Sequence, residues 1–246
     1  MNAVVLGGTK GMGRALARLL VTNGHRVFLL GRNLDDLERS ARDLEVRSGS
    51  HDSVSVALCD LERPDTFASA LDAAVNRLGA VHLVVVTAGL FARQDVLEND
   101  LNLAGRLLAT NFVNTVLFCE HVRQRVFAAR GGVLCVFSSV AGERGRKPVV
   151  LYGAAKSGLT RYLEGLDHRF HAAGLRVVCV KPGFVRTSMT QGLKEPPFSG
   201  EPELVAAQVL RAIEKGQPVV YAPGVWALIM LVVRWLPRFV MRRVSF

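Results

Sequence analysis

The segment that decides the fold is AVVLGGTKGMGRALARLLVTN, residues 3–23. Its apolar start predicts a short buried strand at Ala3–Leu6, and the spacing of the later apolar residues predicts a helix at Gly11–Asn23. In the glycine-rich turn between them, free backbone amides and the helix dipole favour an anion. This order predicts a site for the pyrophosphate of a dinucleotide. The turn residues assigned to that site are Gly7, Thr9, Lys10, Gly11, Met12 and Gly13.

The alternation of strand and helix continues along the chain. Six more apolar runs, rich in Val and Leu, predict strands that are covered on both faces. These strands are expected at Arg26–Leu30, Val54–Leu58, Val81–Val86, Val133–Phe137, Arg176–Val180 and Pro218–Tyr221. Helices are expected at Leu34–Arg47, Pro64–Leu78, Asn102–Ala129, Val150–Ala172 and Glu203–Lys215. Right-handed crossovers then predict an α/β fold: a doubly wound parallel sheet of about seven strands with helices on both faces.

Composition excludes several classes of protein. Of the 246 residues, 50% are hydrophobic and 21% are charged, which excludes disorder, collagen and a disulfide-stapled mini-protein. With 31 basic and 21 acidic residues the formal net charge is +10, and this favours a nucleic acid, a phosphate-bearing ligand or an anionic membrane as partner. Nucleic acid is disfavoured because the few aromatic residues are not interleaved with the basic runs.

The cysteines indicate the compartment. Each of Cys59, Cys119, Cys135 and Cys179 stands alone in an apolar run, which predicts buried, reduced thiols in a reducing environment. Their spacing forms no ligand pattern with the six histidines, so no metal site is expected. No basic and apolar leader pattern is visible before the first strand, and a cytoplasmic location is expected.

The end of the second strand indicates the type of nucleotide. An acidic residue there would accept a hydrogen bond from a ribose 2′-hydroxyl and repel a 2′-phosphate. This strand is followed instead by Arg32 and Asn33, and Arg32, together with Lys10, can reach a 2′-phosphate. NADPH is therefore the favoured cofactor and NADH stays possible. The alternative is that both cations are simply solvated.

Tyr152 and Lys156 lie four residues apart in a predicted helix, so their side chains share a face. A tyrosine titrates at about 10, and a neighbouring ammonium stabilises the phenolate and lowers that pKa. Ser139 follows the fifth strand, at the edge where open α/β sheets place ligands. Its hydroxyl could hold a substrate carbonyl beside the tyrosine.

These motifs together resemble the short-chain dehydrogenase/reductase family over essentially the whole chain. They are the glycine turn, Asp60, Thr87-Ala88-Gly89, Asn111, Ser139, Tyr152-x-x-x-Lys156 and Pro182-Gly183-Phe184-Val185-Arg186-Thr187, in the family's order and spacing. The resemblance implies a Rossmann-like fold and an NAD(P)H-dependent oxidoreductase.

By that resemblance, each matching residue has an expected role. Tyr152 is the general acid, Ser139 orients the carbonyl, and Asn111 holds a water in the proton relay. Lys156 binds the nicotinamide ribose and depresses the tyrosine pKa. Asp60 and Leu61 flank the adenine, and Val185 and Thr187 hold the carboxamide. Further cofactor contacts are expected at Ala88, Gly89, Tyr152, Lys156, Pro182 and Gly183.

Two positions depart from the family pattern. Leu6 stands where a threonine is common before the first glycine, and Val86-Thr87 replaces the usual pair of asparagines. Both positions are mainly structural in the family. The departures therefore put the stability of the turn in doubt more than the chemistry.

From the catalytic strand to the end, the chain also resembles the decaprenylphosphoryl-2-keto-ribose reductases. The similarity lies in Ser138–Arg144, Val185–Met189, Leu193–Pro196, Tyr221–Pro223 and the tail that follows. It implies reduction of the 2-keto group of a polyprenylphosphoryl pentose to arabinose, an arabinan precursor in cell-wall biosynthesis. A partner oxidase that supplies the keto-sugar and a homodimer or homotetramer are further implications.

Residues 223–246 are expected to form an apolar and basic helical extension of a single catalytic domain, residues 1–222. The continuous helical part, Val225–Leu236, would be about 18 Å long, too short for about 30 Å of hydrocarbon. Four arginines follow its apolar residues, at positions 234, 238, 242 and 243, which suits a helix lying in a membrane interface. The alternative is a helix that packs on the core or on a second subunit, with solvated arginines.

A second basic group lies near the expected mouth of the substrate site. Arg144, Arg146 and Lys147 either bind a substrate phosphate or form a solvated loop. The favoured function is a membrane-associated, NADPH-dependent ketoreductase of a lipid-linked 2-keto-pentose. One alternative is a reductase of a soluble or acyl-chain ketone. Another is a non-catalytic nucleotide sensor or scaffold, against which the complete catalytic set argues.

Overall fold

The structure is a computed structural model that describes residues 1–127 and 131–244. The strands of its sheet are β1 (Asn2–Leu6), β2 (Arg26–Gly31), β3 (Val54–Leu58), β4 (Leu83–Val86), β5 (Gly132–Phe137), β6 (Leu175–Pro182) and β7 (Val219–Ala222). They form one seven-stranded sheet in the order β3-β2-β1-β4-β5-β6-β7, and every pairing is parallel. The predicted doubly wound parallel sheet is confirmed.

Helices cover both faces of this sheet. They are α1 (Gly11–Thr22), α2 (Leu34–Ser48), α3 (Phe67–Leu78), α4 (Gln94–Asn99), α5 (Leu101–Leu108), α6 (Asn114–Arg125), α7 (Val150–Phe170), α8 (Pro202–Glu214), α9 (Val225–Trp235) and α10 (Arg238–Met241). The buried residues of α1, α2 and α8 belong to the core on one face, and those of α3, α6 and α7 belong to the core on the other.

The central strands are apolar at every position because both of their faces are covered. Along β1, Ala3 and Val5 belong to one core and Val4 and Leu6 to the other, and none is more than 1% exposed. A strand with one face in water would alternate apolar and polar residues instead. This is why continuous apolar runs predict the strands correctly here.

The helix expected at Asn102–Ala129 is interrupted, which corrects that prediction. It consists of α5, a π-helical turn at Ala109–Val113 and α6, which ends at Arg125. Residues 128 and 129 of the expected helix lie outside the described residues. The sequence analysis also missed α4; a separate helix begins after it because the Asp100 side chain accepts a hydrogen bond from the Leu103 amide and caps α5.

The tail helix packs one of its faces on the domain. Met230 and Val233 of α9 are buried against Val140, in the loop that follows β5. The opposite face of α9 is exposed, including Leu228 and Trp235. Packing on the core therefore accounts for one face of the helix. Within the described part of the chain, no helix has the length and apolar character to cross a bilayer.

Candidate active site

The glycine turn after β1 is packed so closely that no side chain fits at Gly7 or Gly13. A β-carbon added at Gly13 would lie 2.3 Å from the Gly7 carbonyl oxygen and 2.4 Å from the Thr87 hydroxyl. Gly7 has a φ of +92°, in the left-handed region that favours glycine, and an added β-carbon there would meet the Ala88 amide nitrogen at 2.7 Å. The turn and the residues after β4 therefore form one compact unit at the carboxyl edge of the sheet.

Thr87 stabilises that turn where the family pattern has an asparagine. Its hydroxyl lies 3.1 Å from both the Leu6 and the Gly7 carbonyl oxygens, to which it donates. A shared donor of this kind ties the glycine turn to the end of β4. Although Thr87 departs from the family pattern, its hydroxyl stabilises the turn through these hydrogen bonds.

At the end of β2, both predicted phosphate-binding cations face acidic side chains. The exposed Arg32 guanidinium lies 3.9 Å from the Glu62 carboxylate, and the Lys10 ammonium lies 3.7 Å from Asp36. The Asn33 side chain caps α2 by accepting a hydrogen bond from the Asp36 amide. Sequence reasoning missed the two acids, since only folding brings Glu62 beside Arg32.

Asp60 and Leu61 follow β3 at the same edge. Asp60 accepts a hydrogen bond from the Glu62 amide at 3.0 Å, which shapes the turn. The Leu61 side chain is buried in the core, and the Leu61 carbonyl accepts from the Asn114 side chain at 2.7 Å. An adenine contact at Leu61 would therefore come from its backbone.

Lys156 lies on the buried face of α7. Its ammonium donates to the Phe137 carbonyl at the end of β5, at 2.8 Å, and lies 5.9 Å from the centre of the Tyr152 ring. Burial lowers the pKa of Lys156 to about 8. With this pKa, Lys156 is mostly protonated at neutral pH and loses its charge as the pH rises through about 8.

Tyr152 is half-buried, with its ring edge-on to Phe91 at 5.2 Å between centres. Burial raises the pKa of Tyr152 to about 12, and a hydrogen bond with Ser139 only partly offsets that rise. The expected depression of this pKa by Lys156 is thus not found in the protein alone, because desolvation of the phenolate is the largest effect and the contact that offsets it is with Ser139. At neutral pH the tyrosine is protonated, which is the form that a general acid requires.

Ser139 is positioned by the backbone that follows β5. Its hydroxyl accepts from the Ala141 amide at 3.1 Å and begins a short 3₁₀ turn at Val140–Gly142. The preceding Ser138, which the sequence analysis did not assign, donates to the Lys156 carbonyl at 3.0 Å. Ser138 therefore locks α7 to β5 and fixes the distance between the serine and the tyrosine.

Asn111 is fully buried in the π-helical turn, a local geometry that is frequent at functional sites. Its side chain donates to the Leu90 carbonyl at 2.6 Å and accepts from the Leu90 amide at 2.8 Å. A β-carbon on Gly89 would lie 2.9 Å from the Asn111 amide oxygen and 3.9 Å from the Lys156 ammonium. Two of the predicted relay residues, Asn111 and Lys156, therefore lie close together beside Gly89.

The loop after β6 closes the site from the other side. The Thr187 side chain lies 3.2 Å from where a β-carbon of Gly11 would be, so the loop touches the glycine turn. The Thr190 hydroxyl fixes this loop, since it accepts from the Thr187 amide at 3.0 Å and donates to the Val185 carbonyl at 2.7 Å. Thr190 is a further residue that the sequence analysis did not assign.

The predicted site residues thus share one edge of the sheet, and they fit a dinucleotide. The close-packed glycine cradle suits a pyrophosphate, Arg32 stands at the adenosine end, and the catalytic residues stand at the other end. Pro182 ends β6, the strand beyond β5 in the sheet, and Gly183, Val185 and Thr187 follow it. Several of the predicted site residues have buried side chains, namely Leu61, Asn111, Lys156, Pro182 and Val185.

Comparison with known proteins agrees with this architecture. The model of the short chain dehydrogenase family matches residues 1–197. An uncharacterized oxidoreductase of Mycobacterium tuberculosis is 35% identical over 244 residues, which cover 98% of this chain and 95% of that protein. The 3-oxoacyl-(acyl-carrier-protein) reductase of Chlamydia muridarum is 30% identical over 193 residues, covering 78% of this chain and 77% of that protein.

A solved structure supports the fold. A variant of actinorhodin polyketide ketoreductase, determined with NADPH, has a TM-score of 0.80 at 22% identity and covers 89% of this chain and 94% of its own. The family match spans the sheet from β1 to β6 and contains the glycine turn and the Tyr152–Lys156 pair. The chain is therefore an oxidoreductase that belongs to the short-chain dehydrogenase family.

Proposed function

We propose that the protein is an NADPH-dependent ketoreductase. The observation that carries this proposal is the pair of hydroxyls of Tyr152 and Ser139 at the carboxyl edge of the sheet, with the tyrosine held protonated by burial. A hydroxyl pair of this kind can donate two hydrogen bonds to one carbonyl oxygen and stabilise the negative charge that develops on it. The bound nicotinamide would supply the hydride.

Each catalytic side chain has a defined part in this reaction. Ser139 holds the substrate carbonyl, and the Tyr152 hydroxyl transfers its proton to the carbonyl oxygen. An ammonium has three N–H donors, and Lys156 uses one of them for the Phe137 carbonyl. The other two can bind the ribose hydroxyls of the cofactor. The charge of Lys156 also favours the phenolate that remains after proton transfer, and Asn111 lies where a relay could return the proton.

NADPH is the proposed cofactor because Arg32 is exposed at the end of β2. Its contact with Glu62 is long, at 3.9 Å, so the guanidinium can turn toward a 2′-phosphate. No acidic residue lies between Gly31 and Asp35. An acid there would favour the 2′-hydroxyl of NADH instead.

The proposed substrate is a polyprenylphosphoryl 2-keto-pentose, reduced to the arabinose form for cell-wall arabinan. Support comes from the resemblance to the decaprenylphosphoryl-2-keto-ribose reductases, which runs from the end of β5 through the tail. The tail helix α9 also packs beside the loop that follows β5. A soluble or acyl-chain ketone is the second candidate, because a relative at 30% identity is named as a 3-oxoacyl-(acyl-carrier-protein) reductase.

NADPH oxidation by the purified protein tests both substrates and the cofactor. A polyprenylphosphoryl 2-keto-pentose in detergent is compared with 3-oxoacyl thioesters and small soluble ketones, each with NADPH and with NADH. We expect turnover on the lipid-linked sugar and a lower KM for NADPH than for NADH. Turnover on thioesters alone would establish the second candidate. Absence of turnover on every ketone would contradict the reductase itself.

We also propose that the protein lies on the inner face of a membrane, in peripheral contact through its tail, so that a lipid-linked substrate can reach the site. The exposed half of α9 is apolar, and its aromatic Trp235 and the arginines that follow suit the interfacial region. Co-sedimentation of the full chain with anionic lipid vesicles tests this contact. A chain that stays in the supernatant would contradict it.

A further inference from the structure

A cavity of about 710 Å³ lies between the loop that follows β5, the first turns of α7 and the tail helix α10. Basic side chains from both the loop and the tail line it. They are Arg144, Arg146, Lys147, Arg238 and Arg242. In the sequence these residues form two separate basic groups about a hundred positions apart, and the fold joins them into one.

The single acidic side chain in the lining is already neutralised. The Glu143 carboxylate is only 5% exposed, and it accepts from the Lys181 ammonium at 2.5 Å and from the Tyr221 hydroxyl at 3.1 Å. Arg234 lies 3.4 Å from the same carboxylate. Lys181 and Arg234 therefore already neutralise the Glu143 carboxylate, and it does not balance the charge of the cations that line the cavity.

Two of these cations stand one turn apart in the tail, since Arg238 begins the short helix α10 and Arg242 follows its last residue. Arg238 and Arg242 are exposed, and neither they nor Lys147 form an ion pair with an acidic residue in the described part of the chain. The Arg144 guanidinium donates to the Leu236 carbonyl at 2.6 Å, which ties the loop to the tail. Like charges gathered around one cavity repel each other unless an anion is bound.

The phosphate of the proposed sugar substrate is a poor occupant for this cavity. In a 2-keto-pentosyl phosphate ester the phosphorus is three bonds from the carbonyl carbon, so it must lie beside Tyr152 and Ser139. Neither of these residues lines the cavity, which is formed instead by their neighbours, such as Gly153 and Ala141. A second, separate phosphate group fits the position better.

An exposed apolar stripe runs next to the cavity. Leu228, Leu231, Val232 and Trp235 are spaced along one face of α9, and Phe239 of α10 is exposed as well. Phe239 lies directly beside Arg238 in the chain. A helix whose apolar face enters the acyl boundary places adjacent cations at the level of the phosphates.

We infer that this cavity binds the headgroup phosphate of an anionic phospholipid while the stripe enters the membrane interface. The inference rests on the membrane contact proposed above and names the site that holds the lipid. It assigns a binding role to Arg238 and Arg242 that is separate from the reaction. The substrate carbonyl would reach Tyr152 outside this cavity, because Tyr152 is not among the residues that line it.

The test uses the full chain and vesicles of phosphatidylcholine with and without phosphatidylglycerol. In the double variant Arg238→Gln/Arg242→Gln, we expect the apparent affinity for phosphatidylglycerol vesicles to fall by about 30-fold, since each basic residue near the surface contributes about fivefold. The control Arg42→Gln/Arg211→Gln removes the same charge from exposed positions on α2 and α8. We expect it to lose roughly twofold at most.

Further readings separate the alternatives. The kcat for NADPH-dependent reduction of the lipid-linked 2-keto-pentose in detergent should be equal in the parent and both variants, which distinguishes failure of this inference from failure of the reductase assignment. Equal loss of vesicle affinity in both variants would show general attraction and overturn the inference. A raised KM for the lipid-linked substrate in detergent, with vesicle binding unchanged, would assign the cavity to the substrate and overturn it. So would a stable dimer that binds no vesicles, because the stripe would then be a subunit interface.

Discussion

Replacing Tyr152 by phenylalanine is expected to lower kcat for NADPH-dependent ketone reduction by about 10³-fold, within the range that a positioned general acid contributes. The hydroxyl is the proton donor, and burial holds it protonated with a pKa of about 12. The ring packs edge-on against Phe91, and phenylalanine keeps that contact. Fold and cofactor binding should therefore survive, which NADPH fluorescence titration and circular dichroism would show.

Tyr162→Phe is the matched control for that experiment. Tyr162 lies on the same helix, α7, ten residues further along, and its hydroxyl donates to the Glu120 carboxylate of α6 at 2.8 Å. Its removal should change kcat by roughly twofold at most. A Tyr152→Phe enzyme that kept parental turnover would refute the assigned acid, and equal losses in both variants would indicate a structural effect.

Replacing Lys156 by methionine should remove turnover and also change how stability depends on pH. Burial lowers the pKa of Lys156 from 10.5 to about 8, so between these values the unfolded chain binds more protons than the folded chain. The unfolding free energy of the parent therefore rises with pH across this window, and the variant lacks that rise. Relative to the variant, the parent should gain about 3 kcal/mol between pH 7 and pH 10.5.

Urea unfolding of both proteins at several pH values measures this difference directly. The lost hydrogen bond to Phe137 lowers the stability of the variant equally at every pH, so it does not alter the slope. Lys215→Met, at an exposed position after α8, is the control and should run parallel to the parent. Curves for Lys156→Met that run parallel to the parent would contradict the buried, shifted lysine.

The same titration predicts the pH profile of the parent enzyme. As pH rises through about 8, Lys156 loses its charge and with it the stabilisation of the ribose contacts and the phenolate. We expect kcat/KM for reduction to fall on the alkaline side of that value. Tyr152 stays protonated there, so the decline reports the lysine.

Local patterns were sufficient for most of the fold, and they singled out Tyr152, Lys156 and Ser139 as candidate catalytic residues. Each strand and helix depends on the spacing of apolar residues over a few turns, and the parallel order follows from their alternation. The pair Tyr152 and Lys156 shares a helix face by spacing alone. Ser139 is placed by its position immediately after a strand. These features involve neighbours in the chain, and the sequence shows them directly.

Other features depend on contacts between distant residues, and those were missed or incompletely predicted. Thr87 stabilises the glycine turn from the end of another strand, and the π-helical turn encloses Asn111 because its side chain bonds to Leu90. The rise in the Tyr152 pKa was also not predicted. Burial is a property of the assembled core, and its cost to the phenolate exceeds the help of the hydrogen bond with Ser139.

The chain by itself therefore determined the doubly wound sheet and the glycine cradle, since spacing and residue type carry that information, and the family resemblance supplied the candidate catalytic residues. Tertiary structure decided the protonation states and the charge environment. It buried Lys156 and Tyr152 together, and it neutralised Glu143 with Lys181. It also gathered the arginines of the tail and of the loop after β5 around one cavity. Solvation and Coulomb energies depend on distance in space rather than on position in the chain, so only the folded molecule shows them.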